Sequence, residues 1–299
     1  MNIRRLVFGS RASALARWQT EWVRAQLCAA WPTLTCEVRT FTTTGDRALD
    51  TPLPQLGGKG VFTEELEAAL RAHEIDVAVH SLKDLPVDDA PGLTLGAVGM
   101  REDARDVLIA RAGWTLATLP RNARVGTCSV RRTAQILAVR PDLTILPVRG
   151  NVDTRVGKVI RGEYEAIVLA AAGVKRLGLT QHIAEYLPFE WVLPAPGQAA
   201  LAVQCRAEDA ATLELLLAID HAPTRAAVTA ERNFLKALGG GCSAPVAAYA
   251  HIMHAQLEMT GLVASPDGQT IIRVNGRGPQ VAEELAQRAR HQGAEALLT

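Results

Sequence analysis

The sequence predicts an α/β protein, with two α/β domains followed by a smaller C-terminal α+β domain. Short apolar segments alternate with helical segments over the first two thirds of the chain, a pattern typical of parallel sheets with crossover helices. Pro194, Pro196 and Gly197 break this alternation, and strand-like segments dominate after Pro223. A length of 299 residues is also enough for about two domains.

The first part of the chain contains a long helix between two short strands. Pro32 ends the helix, because proline cannot continue a helical hydrogen-bond pattern. Residues 42–60, rich in Thr, Pro and Gly, are expected to form a long mobile loop, and Thr63 is expected to cap the next helix. The expected elements are a strand at 6–8, a helix at 14–30, a strand at 34–41, a helix after Thr63, and strands at 76–79 and 93–98.

The alternation resumes after Arg105 and changes character after Pro223. The expected elements of the middle part are strands at 106–110, 124–127, 143–148 and 166–170, with helices at 129–140 and 152–161 and a further apolar segment at 201–205. The expected elements of the last part are a helix at 224–238, strands at 244–250, 256–263 and 270–274, and a helix from about 280.

Composition excludes several classes of protein. A net charge of +1 argues against a general nucleic-acid binder, which would be strongly basic. The apolar runs are too short to span a bilayer, and no targeting segment stands out. Five cysteines without C-x-x-C spacing indicate a reduced, cytoplasmic protein. The seven histidines lack the pattern of a metal site, so no bound metal is expected.

Arginine is concentrated beside the ends of the expected elements. The chain has 27 arginines and five lysines, which codon bias or the recognition of carboxylates and phosphates would explain. Strand ends and helix N-termini are the places where α/β proteins bind anions. The sequence therefore predicts a polyanion site that includes Arg11, Arg131, Arg132, Arg149, Arg155 and Arg176.

Two further residues are candidates for chemistry. Asp84 follows a buried strand and is either an ordinary loop carboxylate paired with Lys83 or a group that stabilises a cationic intermediate. Cys242 follows three glycines, which suits a mobile arm that carries a reactive thiol or a covalent group; Cys128, beside arginines, is the rival reactive thiol. His80 is expected to be a structural histidine at a strand end.

These motifs together resemble the porphobilinogen deaminase family over almost the whole chain. The matching segments are 57–62, 78–86, 126–132, 149–155, 193–198 and 239–242. The resemblance implies two domains built like type II periplasmic solute-binding proteins, with the active site in the cleft between them, and a third, small α+β domain. It also implies the activity of a hydroxymethylbilane synthase, which condenses four porphobilinogen molecules head to tail with loss of ammonia.

Residue roles are implied by the same resemblance. Asp84 would be the catalytic residue, hydrogen-bonding pyrrole N–H groups, and Cys242 would carry a dipyrromethane cofactor through a thioether. The other cofactor-binding residues would be Lys83, Thr127, Ser129, Arg131, Arg132 and Arg155. The substrate-binding residues would be Arg11, Ser13, Lys59, Phe62, Arg149, Arg176 and Gln198.

The implied domains are residues 1–99 with 200–219, residues 100–199, and residues 220–299. The protein is expected to act as a monomer on a small molecule, without nucleic acid or membrane. Three positions depart from the family pattern: Cys128 replaces a serine, and Ala199 and Ala202 replace glycines. The alanines would stiffen the segment or be unable to adopt a glycine-only backbone angle. A non-catalytic solute-binding protein and a thiol enzyme are the rival readings.

Overall fold

The computed structural model describes residues 5–47, 63–240 and 244–298. The chain forms two compact units, one made of Met1–Arg101 with Ala200–Arg225 and the other of Glu102–Ala199 with Ala226–Thr299. Within the described ranges, no helix has both the length and the apolar character needed to cross a membrane.

The first unit is built on a five-stranded sheet. Its strands are β1 (Arg5–Arg11), β2 (Thr35–Phe41), β3 (Val77–Ser81), β4 (Leu93–Val98) and β10 (Leu201–Arg206). They lie in the order β2-β1-β3-β10-β4, and β10 is antiparallel to both of its neighbours. The helices of this unit are α1 (Ala14–Ala30), α2 (Thr44–Arg47), α3 (Glu64–Arg71) and α7 (Ala210–Leu216).

Helix α1 illustrates how local sequence positions these elements. Ser13 is its N-cap, and the Ser13 hydroxyl accepts a hydrogen bond from the Ala16 amide at 3.3 Å. The buried side chains recur every three or four positions, so that Val23 and Leu27 pack on the apolar face of the sheet. Each fully buried large apolar side chain contributes roughly 1.5–3 kcal/mol to folding. This packing fixes α1 directly after the end of β1.

The second unit contains a five-stranded sheet with the same topology. Its strands are β5 (Asp106–Ala110), β6 (Arg124–Gly126), β7 (Thr144–Leu146), β8 (Ala166–Ala170) and β9 (Ile183–Tyr186), in the order β7-β6-β8-β5-β9. Strand β5 is antiparallel to both neighbours, as β10 is in the first sheet. Helices α4 (Val130–Val139), α5 (Val152–Ile160) and α6 (Ala171–Arg176) follow β6, β7 and β8.

A small antiparallel sheet and two helices complete the second unit. The sheet consists of β11 (Val246–Met253), β12 (Gln256–Ala264) and β13 (Ile271–Arg277), and the helices are α9 (Val281–His291) and the part of α8 (Ala222–Ala237) from residue 226 onward. Phe234 of α8 lies so close to Gly261 of β12 that a Cβ there would come within 2.5 Å of its ring. Gly261 is therefore required for this helix to pack on the sheet.

The predicted fold class is confirmed, with two α/β sheets and a small C-terminal sheet. The expected parallel pairing with crossover helices holds for β1, β2 and β3 and for β6, β7 and β8, but each large sheet also has one antiparallel strand. Helix α2, strand β9 and helices α6 and α7 were not predicted, since each is only four to seven residues long. Helix α2 lies in the segment 42–60 that was expected to be a loop, and residues 48–60 of that segment lie outside the described residues. Thr63 is the N-cap of α3 by position, but its side chain does not make the capping hydrogen bond.

Candidate functional site

A polar pocket lies at one edge of the first sheet. Strands β1 and β3 are parallel neighbours, so their carboxyl ends, Arg11 and Ser81, lie at the same edge. The pocket encloses about 400 Å³, including space open to solvent. Its polar lining residues are Arg11, Ser13, Gln19, Thr63, His80, Ser81 and Asp84.

Asp84 enters this pocket from a short 3₁₀ turn, Leu82–Asp84, that directly follows β3. The turn is held in place because the buried Leu82 donates its amide to the Ala200 carbonyl at 3.0 Å. The Asp84 side chain itself is exposed. The fold thus places a solvated carboxylate at the rim of a pocket that also contains the Arg11 guanidinium.

The floor of the pocket is buried and hydrogen-bonded. Gln19 donates its side-chain amide to the Ser81 hydroxyl at 2.8 Å and is almost fully buried. His80 is 5% exposed, and burial together with the positive charge of Arg11 lowers its pKa to about 4. His80 is therefore neutral at neutral pH, so Arg11 and Asp84 supply the opposite charges in this part of the lining.

A second polar cluster lies at the corresponding edge of the second sheet. Strands β6, β7 and β8 are parallel, so the segments that follow them begin at one edge. The antiparallel β5 starts at that same edge, where Asp106 pairs with Ala170 at the end of β8. This arrangement brings the carboxylate of Asp106 to the first turn of α4.

Asp106 binds two arginines of that turn. Its Oδ2 accepts a hydrogen bond from Arg131 at 2.9 Å, and its Oδ1 accepts one from Arg132 at 2.7 Å. Gln198 is fully buried and donates its side-chain amide to Asp106 Oδ1 and to the Ala104 carbonyl, both at 2.8 Å. The two arginines are only 5% and 8% exposed, so the cluster is a buried ion triad.

The triad carries more positive than negative charge, because one carboxylate faces two guanidinium groups. Burial lowers the pKa of Arg131, and the charge of Asp106 opposes that effect. Among the described residues, the buried Nε of Arg132 has no hydrogen-bond partner. Since buried charges are normally balanced, an anionic ligand beside this cluster would be favoured.

Comparisons with known proteins show the family of this chain. Residues 6–214 match the family model "Porphobilinogen deaminase, dipyromethane cofactor binding domain", and residues 225–293 match "Porphobilinogen deaminase, C-terminal domain". The chain belongs to the porphobilinogen deaminase family. Porphobilinogen deaminase of Moorella thermoacetica is 50% identical over 97% of this chain and 94% of that protein. The Geobacillus kaustophilus enzyme of the same name is 47% identical over 99% and 97%.

Membership of the porphobilinogen deaminase family confirms four predictions from the sequence: the family itself, the hydroxymethylbilane synthase function, the transferase class and the dipyrromethane cofactor. Among solved structures, the periplasmic VFT2 domain of BvgS from Bordetella pertussis aligns with a TM-score of 0.45 and 15% identity, over 73% of this chain and 87% of that one. At this TM-score and identity, the comparison adds nothing to what the sheet topology already shows about the fold.

The structure brings together two groups of the residues that the sequence singled out. Arg11, Ser13 and Asp84 line the pocket of the first unit, and Lys83 belongs to the same turn as Asp84. Thr127, Ser129, Arg131, Arg132 and Gln198 lie around Asp106 or at the start of α4 in the second unit.

Three predicted arginines lie on other segments of the second unit. Arg149 follows β7, and Arg155, in the second turn of α5, donates its Nε to the Gly150 carbonyl at 2.7 Å. Arg176 ends α6 and donates to the Ala199 carbonyl at 2.7 Å; burial lowers its pKa to about 10. Lys59, Phe62 and Cys242 lie outside the described residues.

Sequence reasoning missed Asp106 and His80 as parts of these sites. Asp106 directly precedes the apolar run 107–110. A lone carboxylate at the first position of a buried strand is the signal that could have identified it as a site residue. His80 was expected to be structural; it is indeed buried, and it also lines the pocket with Asp84.

Replacement of Asp106 by asparagine is expected to destabilise the protein by about 3 kcal/mol or more, because two buried guanidinium groups lose their counter-charge. Urea unfolding measures the effect. The matched control is Asp103→Asn: Asp103 pairs with Arg105, which is 42% exposed, and its loss should cost about 1 kcal/mol or less. Equal losses in the two variants would contradict the assignment of Asp106.

The buried His80 is expected to make stability depend on pH. Its pKa is lowered to about 4 in the folded state, so the unfolded chain, with a histidine pKa of about 6.5, binds the proton first. Stability is therefore lost as pH falls from about 6.5 towards 4, by about 2 kcal/mol between pH 7 and pH 5. Urea unfolding should show that, between pH 7 and pH 5, the unfolding free energy of His80→Gln falls by about 2 kcal/mol less than that of the wild type. Replacement of the exposed His291 should leave the pH dependence of the wild-type stability unchanged.

Ala199 occupies a backbone conformation that favours glycine, with φ of +74°. This conflict was one of the two effects expected of the alanines; Ala202 is an ordinary buried residue of β10. Ala199→Gly should raise the unfolding free energy by about 0.5–1 kcal/mol, because relief of the left-handed conformation exceeds the added chain entropy. Ala200→Gly, at the buried neighbour without positive φ, should instead destabilise; a stabilised Ala200→Gly would contradict this explanation.

Proposed function

We propose that this chain condenses porphobilinogen with Asp84 as its catalytic residue and Cys242 as its cofactor attachment site. The observation that carries the proposal is the pocket of the first unit, where the solvated carboxylate of Asp84 shares a small polar lining with the Arg11 guanidinium. Porphobilinogen offers complementary groups to both, since it has a pyrrole N–H and two side-chain carboxylates.

Asp84 acts on the ring that loses ammonia. An ionised carboxylate only accepts hydrogen bonds, so it binds the pyrrole N–H of the substrate. As the aminomethyl group leaves as ammonia, positive charge spreads over the ring, and a fixed carboxylate stabilises that charge without reorganising. The short 3₁₀ turn anchored through Leu82 holds the carboxylate in place for each successive condensation.

The acetate and propionate groups of the substrate are bound by cations and hydroxyls. Arg11 and Ser13 lie in the same pocket as Asp84, and the capping contact of Ser13 uses only its oxygen as an acceptor, so its proton is available to a carboxylate. We assign Arg149, Arg176, Lys59 and Phe62 to the substrate as well.

We also assign Gln198 to the substrate-binding residues. It is fully buried and donates a hydrogen bond to Asp106, so it would also help to hold that carboxylate between the two arginines.

The second cluster suits the carboxylates of the dipyrromethane cofactor. Its surplus positive charge and the unpartnered Arg132 Nε, noted among the described residues, fit a group that carries several carboxylates. Arg131, Arg132, Arg155, Lys83, Thr127 and Ser129 would hold these groups. When bound, dipyrromethane supplies the free pyrrole α-carbon at which the product chain is extended. The arginines keep its carboxylates fixed while Asp84 serves each new ring.

The remaining properties follow from the same proposal. We propose three domains, residues 1–99 with 200–219, residues 100–199 and residues 220–299. The protein would act in the cytoplasm as a monomer, with porphobilinogen as its partner and without nucleic acid or membrane.

Incubation with porphobilinogen tests the proposed function. The enzyme should release one ammonia for each porphobilinogen consumed and accumulate a linear tetrapyrrole. A solute-binding protein would bind porphobilinogen and return it unchanged, and that result would refute the proposal.

A further inference from the structure

Two cysteines of the first unit lie in contact. Cys28 is in the last turn of α1, and Cys36 is the second residue of β2, eight positions later. Their Sγ atoms are 3.6 Å apart, and both residues are partly exposed. A disulfide has an S–S bond of about 2.05 Å, so the two sulfurs need to approach by about 1.5 Å.

The other described cysteines do not form such a pair. Cys128 is exposed, and its Sγ lies 3.3 Å from the Val148 carbonyl. Cys205 is fully buried in the core of the first unit. Among the cysteines that the structure describes, the thiols that are both accessible and adjacent are thus those of Cys28 and Cys36.

We propose that Cys28 and Cys36 form a reversible disulfide by exchange with a low-molecular-weight disulfide such as oxidised glutathione. This modification site does not depend on the proposed function, since neither residue lines the pocket or belongs to the ion triad.

The order of the two steps follows from the surroundings of the sulfurs. Burial and the hydrogen bond with Cys28 raise the pKa of Cys36 to about 12, whereas the charge of Arg24, one turn before Cys28, opposes this effect. Cys36 is therefore held as the thiol, and Cys28 is the residue that attacks first.

Both steps are thiol–disulfide exchanges. The Cys28 thiolate attacks one sulfur of oxidised glutathione, which forms a mixed disulfide and releases one glutathione thiolate. Cys36 then loses its proton to solvent and attacks the Cys28 sulfur, which forms the Cys28–Cys36 bond and releases the second glutathione thiolate. Two protein thiols are oxidised, and one glutathione disulfide is reduced to two thiols.

The bond would join the end of α1 to the edge strand β2 of the first sheet. A cross-link stabilises mainly by restricting the unfolded chain, and the segment closed here is short. We expect the melting temperature of the oxidised protein to rise by about 3–6 °C.

Peptide mapping tests the proposal directly, because trypsin releases both cysteines on one peptide, residues 25–39, with no other cysteine. The full-length protein is incubated with oxidised glutathione, alkylated with N-ethylmaleimide and digested. We expect peptide 25–39 to lose two hydrogen atoms, to resist alkylation in more than half of the molecules, and to recover both thiols after dithiothreitol.

Three variants provide the controls. Cys28→Ser and Cys36→Ser should abolish the loss of two hydrogen atoms, whereas Cys128→Ser should leave it unchanged. If peptide 25–39 of the wild type remains doubly alkylated, or carries a separate glutathione on each cysteine, the proposal is overturned. The wild-type result decides even if one serine variant fails to fold.

Discussion

Replacement of Asp84 by asparagine is expected to lower kcat with porphobilinogen by about 100-fold or more. The amide keeps the size of the side chain but loses the negative charge that faces the ring as ammonia leaves. Preorganised charges at such positions are typically worth two to three orders of magnitude in rate. Because Asp84 is exposed and the turn is anchored through Leu82, the free energy of unfolding should change by less than about 0.5 kcal/mol.

The matched control for this prediction is Asp89→Asn. Asp89 is an exposed carboxylate five positions further along the chain and does not line the pocket. Its replacement should leave kcat within a factor of two of wild type. Turnover by Asp84→Asn at the wild-type rate would show that the carboxylate has no role in the loss of ammonia.

Replacement of Cys242 by serine is expected to abolish turnover altogether. A serine hydroxyl lacks the nucleophilic sulfur from which the thioether to dipyrromethane is made, so no growing chain can be held. Far-ultraviolet circular dichroism should show a folded protein, and the denatured chain should carry no added pyrroles.

Cys128→Ser is the control for Cys242, because Cys128 is exposed and is the rival reactive thiol. Its replacement should keep both the cofactor and the activity. If Cys128→Ser loses the cofactor and Cys242→Ser retains it, the attachment site has been assigned to the wrong residue.

Local sequence predicted most elements of the fold. The period of buried residues in α1, with Ser13 before it and Pro32 after it, placed that helix at Ala14–Ala30, as observed. Strands β4, β5 and β8 also lie where they were expected. Such signals are local, because they depend on side-chain period, capping and chain-breaking residues.

The direction of strand pairing could not be predicted in the same way. Strand β5 has the composition of a parallel strand but runs antiparallel to β8 and β9. Its direction is set by the path of the chain as it enters the second sheet. A local sequence pattern does not specify that path. The contact of Asp106 with Arg131 and Arg132 depends on that direction and was missed for the same reason.

The two parts of the candidate site differ in how much of them could be predicted from the sequence. Arg11 and Asp84 were placed by strand ends, a local feature, and the structure puts both in one pocket. The burial of Arg131 and Arg132 was not foreseen, since arginines are seldom fully buried unless a partner comes from elsewhere in the chain. Similarly, the spacing of Cys28 and Cys36 gives no sign of their contact.

The most direct test of this account is the mass of the denatured protein, followed by mapping of the tryptic peptide 237–273, in which Cys242 is the single cysteine. We expect this peptide to carry the added mass of two linked pyrroles, either as the protein is isolated or after incubation with porphobilinogen. An adduct on another peptide, or a chain that remains unmodified after that incubation, would contradict it.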